Sequence, residues 1–109
     1  MQMALCPFNS FLLKVINLIK QKDIGEIFIE PVDQNEVPDY GDIVQHPMDL
    51  QTMADKVRDF QYNSLEALEA DFNLMISNCL AYNAKHTIFY KSGLRMKEQV
   101  QQLNYYNFL

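Results

Sequence analysis

The chain has 109 residues, 49% hydrophobic and 21% charged, with a net charge of −5. That length suits one domain (1–109, core about 7–103) whose core needs neither disulfides nor a structural metal. Three glycines and four prolines leave few breaks, which disfavours a sandwich of short strands needing a turn about every ten positions.

The opening MQMALCPFNSF has neither a basic segment nor an apolar run long enough for a secretion signal. No later run reaches membrane-spanning length, so an intracellular, soluble piece of protein is expected. Leu5, Phe8, Leu12, Val15 and Ile19 recur at steps of three and four, predicting a first helix with one face on a core. Phe11, Ile16 and Leu18 widen that face. Pro7 suits the first turn, where its missing N–H costs nothing. Gly25, after Lys20 and Lys22, reads as the stop.

From Asp23 to His46 no helical or strand period appears. A connection that long inside a compact domain points to a binding loop. Its apolar residues, among them Ile27, Phe28, Ile29, Val32, Val37, Tyr40, Ile43 and Val44, are too many to leave in water, and Pro31 and Pro38 stiffen the path. Between Lys22 and Lys56 there is no Lys or Arg, yet nine of the fourteen acids lie there. Such a field repels phosphate backbones, so no nucleic-acid site is expected, and it favours a basic partner. The alternative on charge alone is a solvated loop.

Leu50, Met53 and Val57 mark a second helix starting near Pro47, with Asp49 at its positive end. Asn63-Ser64-Leu65-Glu66 reads as an N-cap with a Glu three residues on, opening a third helix. Leu65, Leu68, Phe72, Met75, Ile76 and Cys79 carry its buried face to about Tyr82. Glu66, Glu69 and Asp71 are expected to dress its early, exposed turns. Thr87 caps a fourth helix with an inner stripe of Phe89, Met96, Val100 and Leu103. The tail NYYNFL has no clear period and reads as a frayed end.

Four amphipathic helices predict an all-α, up-down four-helix bundle, in which the first and third connections share one pole. At that pole the amide of Asn83 and the phenol of Tyr40 converge among Val32, Val37, Ile27, Phe28 and Phe89. A cavity so lined suits a neutral ligand with one carbonyl and one methyl. Asn83 donates to the carbonyl, and Tyr40 reaches it through a water. Acetylated lysine has those groups, whereas an unmodified ammonium would lose its hydration against hydrocarbon. Burying the methyl and part of the stem contributes about 2–3 kcal/mol and the hydrogen bond about 1 kcal/mol. Ordering the peptide takes a share back, leaving affinity of about micromolar at best.

Each residue also has a plainer role. Asn83 alone reads as a left-handed helix cap. Phe89 alone reads as core, Tyr40 as a tie between loop and helix, and Val32 and Val37 as loop anchors. Cys79 on its apolar stripe reads as a reduced core thiol rather than a bridge or nucleophile. His46 and His86 lack a neighbouring ligand pattern, so no metal or other cofactor is expected. No serine has the setting of a nucleophile and no glycine loop cradles phosphate, so no catalysis is expected.

VPDY, HPMDL and DFNLMISNCLAYN resemble the bromodomain, an acetyl-lysine-binding, left-handed four-helix bundle, and the likeness runs from about Pro7 to Val100. The resemblance implies that Asn83 anchors the acetyl carbonyl, Tyr40 bridges through water and Tyr82 stands beside the anchor. It also implies that Val32 and Val37 line the first-loop wall, Phe89 gates the mouth and Cys79 lies near the floor. YNAKHTIFY and EIF narrow the likeness to the bromodomain-and-PHD-finger scaffolds of MYST-type histone acetyltransferase complexes. That subfamily implies acetylated histone tails and acetyltransferase-complex subunits as partners, and the nucleus as location. The sequence departs from many bromodomains in having Glu26-Ile27-Phe28 where Trp-Pro-Phe is common, which implies a narrower shelf. The rival reading is a structural interaction bundle whose apolar end docks a protein without any acetyl requirement.

Overall fold

The computed structural model describes residues 5–103, which form five helices and no strand. These are α1 (Pro7–Lys22), α2 (Tyr40–Ile43), α3 (Leu50–Arg58), α4 (Leu65–Tyr82) and α5 (Ile88–Gln101). The NYYNFL tail lies outside the described residues.

In α1, Pro7 occupies the first turn, and Lys20 and Lys22 complement the negative end of the helix dipole. The helix stops at Lys22 with Asp23 as its cap, ahead of Gly25. Its buried face is Asn9, Phe11, Leu12, Val15, Ile16 and Ile19. Phe8, placed on that stripe by its spacing, is instead exposed, and Leu5 precedes the helix. The buried neighbour is polar for a reason. Asn9 Nδ2 donates to the Val57 carbonyl at 2.8 Å, tying α1 to one of the last carbonyls of α3.

Helix α3 begins at Leu50 rather than at Pro47, because Asp49 is its N-cap. The Asp49 carboxylate accepts from the Thr52 amide at 2.9 Å and from the Thr52 hydroxyl. Ser64, not Asn63, caps α4, accepting from Ala67 N at 3.1 Å. The six apolar residues predicted for the inner face of α4 are its buried residues. Asp71 departs from its predicted place among solvated acids. Half-buried, it pairs with Lys56 Nζ at 2.6 Å and accepts from the Tyr62 hydroxyl. The Lys56 ammonium also lies 4.8 Å from the centre of the Tyr62 ring. Burial, reinforced by Asp71, holds the Tyr62 phenol far above its ordinary pKa.

Thr87 caps α5, its hydroxyl accepting from Tyr90 N at 3.2 Å. The buried residues of α5 are Gly93, Met96 and Val100. Phe89 is 52% exposed, so the predicted inner stripe is corrected at its first position. Gly93, one turn further on, makes the inner contact, since a Cβ there would stand 3.0 Å from Cys79 Sγ and 3.2 Å from Leu80 Cδ2. The absent side chain lets α5 close onto α4.

The bundle is closed: α1 packs on α3 and α5, and α4 packs on the same two. The long connection between α1 and α3 is ordered from within. Asp23, buried, accepts from Ile27 N at 3.0 Å and from Phe28 N at 2.8 Å, which curls residues 23–28 into a turn. Glu26 sits in that turn at φ 54°, a left-handed conformation. Phe28 and Ile29 then present carbonyls to Leu50 N and Gln51 N at 2.9 and 3.0 Å, fastening the loop to the start of α3. Further along, α2 interrupts what the sequence left without period. Four residues are too few to show one. This short helix packs on α4, and Asn78 Nδ2 holds the His46 carbonyl at 2.8 Å.

Candidate functional site

The fastened loop and the α4–α5 turn meet at one pole and enclose a cavity of about 320 Å³. All nine residues named from the sequence line it: Ile27, Phe28, Val32, Val37, Tyr40, Cys79, Tyr82, Asn83 and Phe89. The Asp23-centred turn presents Ile27 and Phe28. Phe28 is buried and shared with the bundle core, whereas Ile27 is half-buried. Val32 is exposed and Val37 half-buried, so the two valines form an outer wall. Phe89, also exposed, stands opposite on the first turn of α5.

The aromatic corner is set by two contacts. Tyr40 and Tyr82 meet edge to face, with ring centres 5.0 Å apart. The Tyr82 hydroxyl donates to Asp39 Oδ1 at 2.8 Å, linking the end of α4 to the residue before α2. That hydrogen bond raises the Tyr82 pKa, and burial raises that of Tyr40, so both phenols stay protonated at neutral pH.

Asn83 follows the last residue of α4 with φ −90° and ψ 139°, an extended conformation. It is therefore not the left-handed cap that an isolated reading of this asparagine favours. Its backbone N–H and its Nδ2 both donate to the Cys79 carbonyl, at 3.1 and 3.0 Å. The same Nδ2 also makes a long contact of 3.7 Å with Cys79 Sγ, so the carboxamide is fixed on Cys79, leaving its carbonyl oxygen and an N–H held only by that weak sulfur contact for a ligand. Cys79 is a buried thiol, directed at the Phe89 carbonyl at 3.2 Å. Burial raises its pKa, an effect partly opposed by Asn83, so this cysteine is a wall and not a thiolate nucleophile.

Four lining residues were not anticipated: Glu30, Met48, Asp49 and Met75. Met75 carried a usable signal, lying one turn before Cys79 on the same face of α4. Met48 and Asp49 follow Pro47 in HPMDL, where the sequence places a helix start with Asp49 at its positive end but does not announce a cavity behind it. Only Glu30 and Asp49 in the lining bear formal charge, and no Lys or Arg among the described residues lines it. The site is accordingly an apolar recess with one fixed carboxamide, two phenols and an acidic margin. Among the described residues no group of three or more His, Cys, Asp or Glu could hold a metal ion, and no helix is long and apolar enough to cross a membrane.

Comparison with known proteins agrees with this architecture. A family model described as Bromodomain matches residues 12–95. A Bromodomain-containing protein homolog of Drosophila melanogaster is 54% identical over 101 residues, covering 93% of this chain and 7% of that protein. Bromodomain and PHD finger-containing protein 3 of Homo sapiens is 44% identical over 98 residues, covering 90% of this chain and 8% of that protein. Among solved structures, a hypothetical bromodomain from Trypanosoma brucei in complex with bromosporine matches with a TM-score of 0.82 at 26% identity, covering 85% of this chain and 81% of that chain. In sequence and in fold, the chain belongs to the bromodomain family of left-handed four-helix bundles, modules that as a family read acetylated lysine.

Proposed function

We propose that this domain is a non-catalytic reader of acetylated lysine in histone tails, with Asn83 donating to the acetyl carbonyl and Tyr40 bridging to it through water. The carrying observation is the fixed Asn83 carboxamide in the wall of an apolar recess, anchored on the Cys79 carbonyl with its second N–H held only by a long contact to Cys79 Sγ. A methyl enters among Ile27, Phe28 and Val37, where its burial is worth about 0.8 kcal/mol. The aliphatic stem leaves between the outer valines and Phe89. An ammonium in the same place would bring three donors to walls offering few acceptors.

In this reading Phe89 narrows the mouth, and Tyr82 holds Tyr40 in place. The host protein works in the nucleus, within a histone acetyltransferase complex. Similarity to Bromodomain and PHD finger-containing protein 3 supports the nuclear part of that reading. The direct test is a calorimetric titration with one histone-tail peptide in acetylated and unmodified forms. Affinity of about micromolar for the acetylated form alone is expected. Equal binding of both forms, or of neither, discards the reading and in the first case favours a docking surface indifferent to the modification.

A further inference from the structure

We propose that Glu30 reads a cationic side chain, arginine above all, beside the acetylated lysine. The inference rests on the acetyl-lysine reading and makes it narrower. Acetylation removes the charge of the bound residue itself, so an acid at the cavity mouth addresses a neighbour in the same peptide.

Asp49, the other acid in the cavity lining, is already engaged, as are two aspartates nearby. Asp49 is buried, and both its oxygens are taken by Thr52. Asp39 holds the Tyr82 hydroxyl, and Asp23 holds the amides of Ile27 and Phe28. Glu30 lines the cavity, is exposed, and forms no ion pair with any described residue. No Lys or Arg occurs between Lys22 and Lys56 to compete for it within the loop.

The backbone carrying Glu30 is also held. The Phe28 and Ile29 carbonyls just before it are hydrogen-bonded to Leu50 N and Gln51 N, and Pro31 follows it. A residue preceding proline is confined to extended backbone, so the carboxylate projects from a nearly fixed point. A guanidinium meets such a carboxylate through two parallel hydrogen bonds, which an ammonium does not match in geometry. The ligand class is therefore acetyl-lysine with an unmodified arginine, or less favourably a lysine, close by in sequence. A neighbouring lysine that is itself acetylated forfeits this contact.

The test uses synthetic peptides bearing one acetyl-lysine, with a single arginine moved through the three positions on either side. Each has a counterpart with citrulline, which keeps the shape and removes the charge. We expect one or two positions where arginine binds about three- to tenfold tighter than citrulline, as an exposed, charge-assisted pair allows. Glu30→Gln should abolish that preference, bringing the arginine peptide and its citrulline counterpart to the same affinity. Glu36→Gln removes the same charge from the same loop at a residue that does not line the cavity, and should preserve it. A preference that survives Glu30→Gln, that is lost equally with Glu36→Gln, or that appears at no position overturns the assignment to Glu30. Failure of the broader reading looks different: acetylated and unacetylated citrulline peptides would then bind alike.

Discussion

Replacing Asn83 with alanine should separate binding from folding, because the structure divides its two roles. The Cys79 carbonyl receives both the side-chain and the backbone N–H of Asn83. Truncation removes the first at 3.0 Å and leaves the second at 3.1 Å, so no carbonyl is orphaned. The stability cost should stay below about 1 kcal/mol, a fall of less than about 8 °C in Tm. Binding has no such reserve. The acetyl carbonyl loses about 1 kcal/mol of net hydrogen bonding and faces apolar walls partly unsatisfied, adding about 1–2 kcal/mol. The sum of about 2–3 kcal/mol corresponds to roughly 30- to 150-fold weaker affinity. Calorimetric titration with an acetylated histone-tail peptide, paired with thermal unfolding followed by circular dichroism, measures both quantities. Asn83→Asp keeps the shape but presents only acceptors when ionised, and should bind no better than the alanine variant. A folded Asn83→Ala protein within about threefold of the parent affinity would refute the anchor role.

Substitutions at three further positions probe the scaffold under the site. Glu26 occupies left-handed backbone, which Asn tolerates better, so Glu26→Asn should stabilise by about 0.5–1 kcal/mol; an unchanged or lower midpoint in urea denaturation counts against it. Gly93→Ala gains about 1 kcal/mol of helix propensity but crowds Cys79 Sγ, at a cost of about 1–3 kcal/mol. Net destabilisation with weaker ligand binding is expected by thermal shift and titration, and a raised Tm would contradict the close-approach argument. Asp23→Ala strips the acceptors from Ile27 N and Phe28 N, costing about 2–3 kcal/mol, whereas Asp23→Asn keeps one oxygen and should recover part of the loss in the same unfolding assay.

Much of this arrangement was legible because apolar periodicity and caps are local signals. The inner face of α4 and the Thr87 cap could be read residue by residue. What escaped depends on partners distant in sequence. Asn9 is buried because the end of α3 lies against it, and Phe8 is displaced outward from a face its spacing had awarded it. Phe89 follows the helical stripe of α5, yet Gly93 makes the close contact and leaves the phenyl group overhanging the recess. Asp71 was read as a surface acid because its partners, Lys56 and Tyr62, come from earlier in the chain. Within the site, the convergence of the Tyr40 and Asn83 segments followed from bundle topology. The lining roles of Glu30 and Met48 depend on how a long loop folds back, which no period announces.

The meeting of Cys79 with Gly93, Phe89 and Asn83 makes the floor of the recess and the seam between two helices one set of atoms. A guest pressing on that floor therefore presses on the joint that keeps the rods together. Occupancy should slow amide hydrogen exchange well beyond the rim, along α4 and α5, because opening the seam first requires the guest to leave.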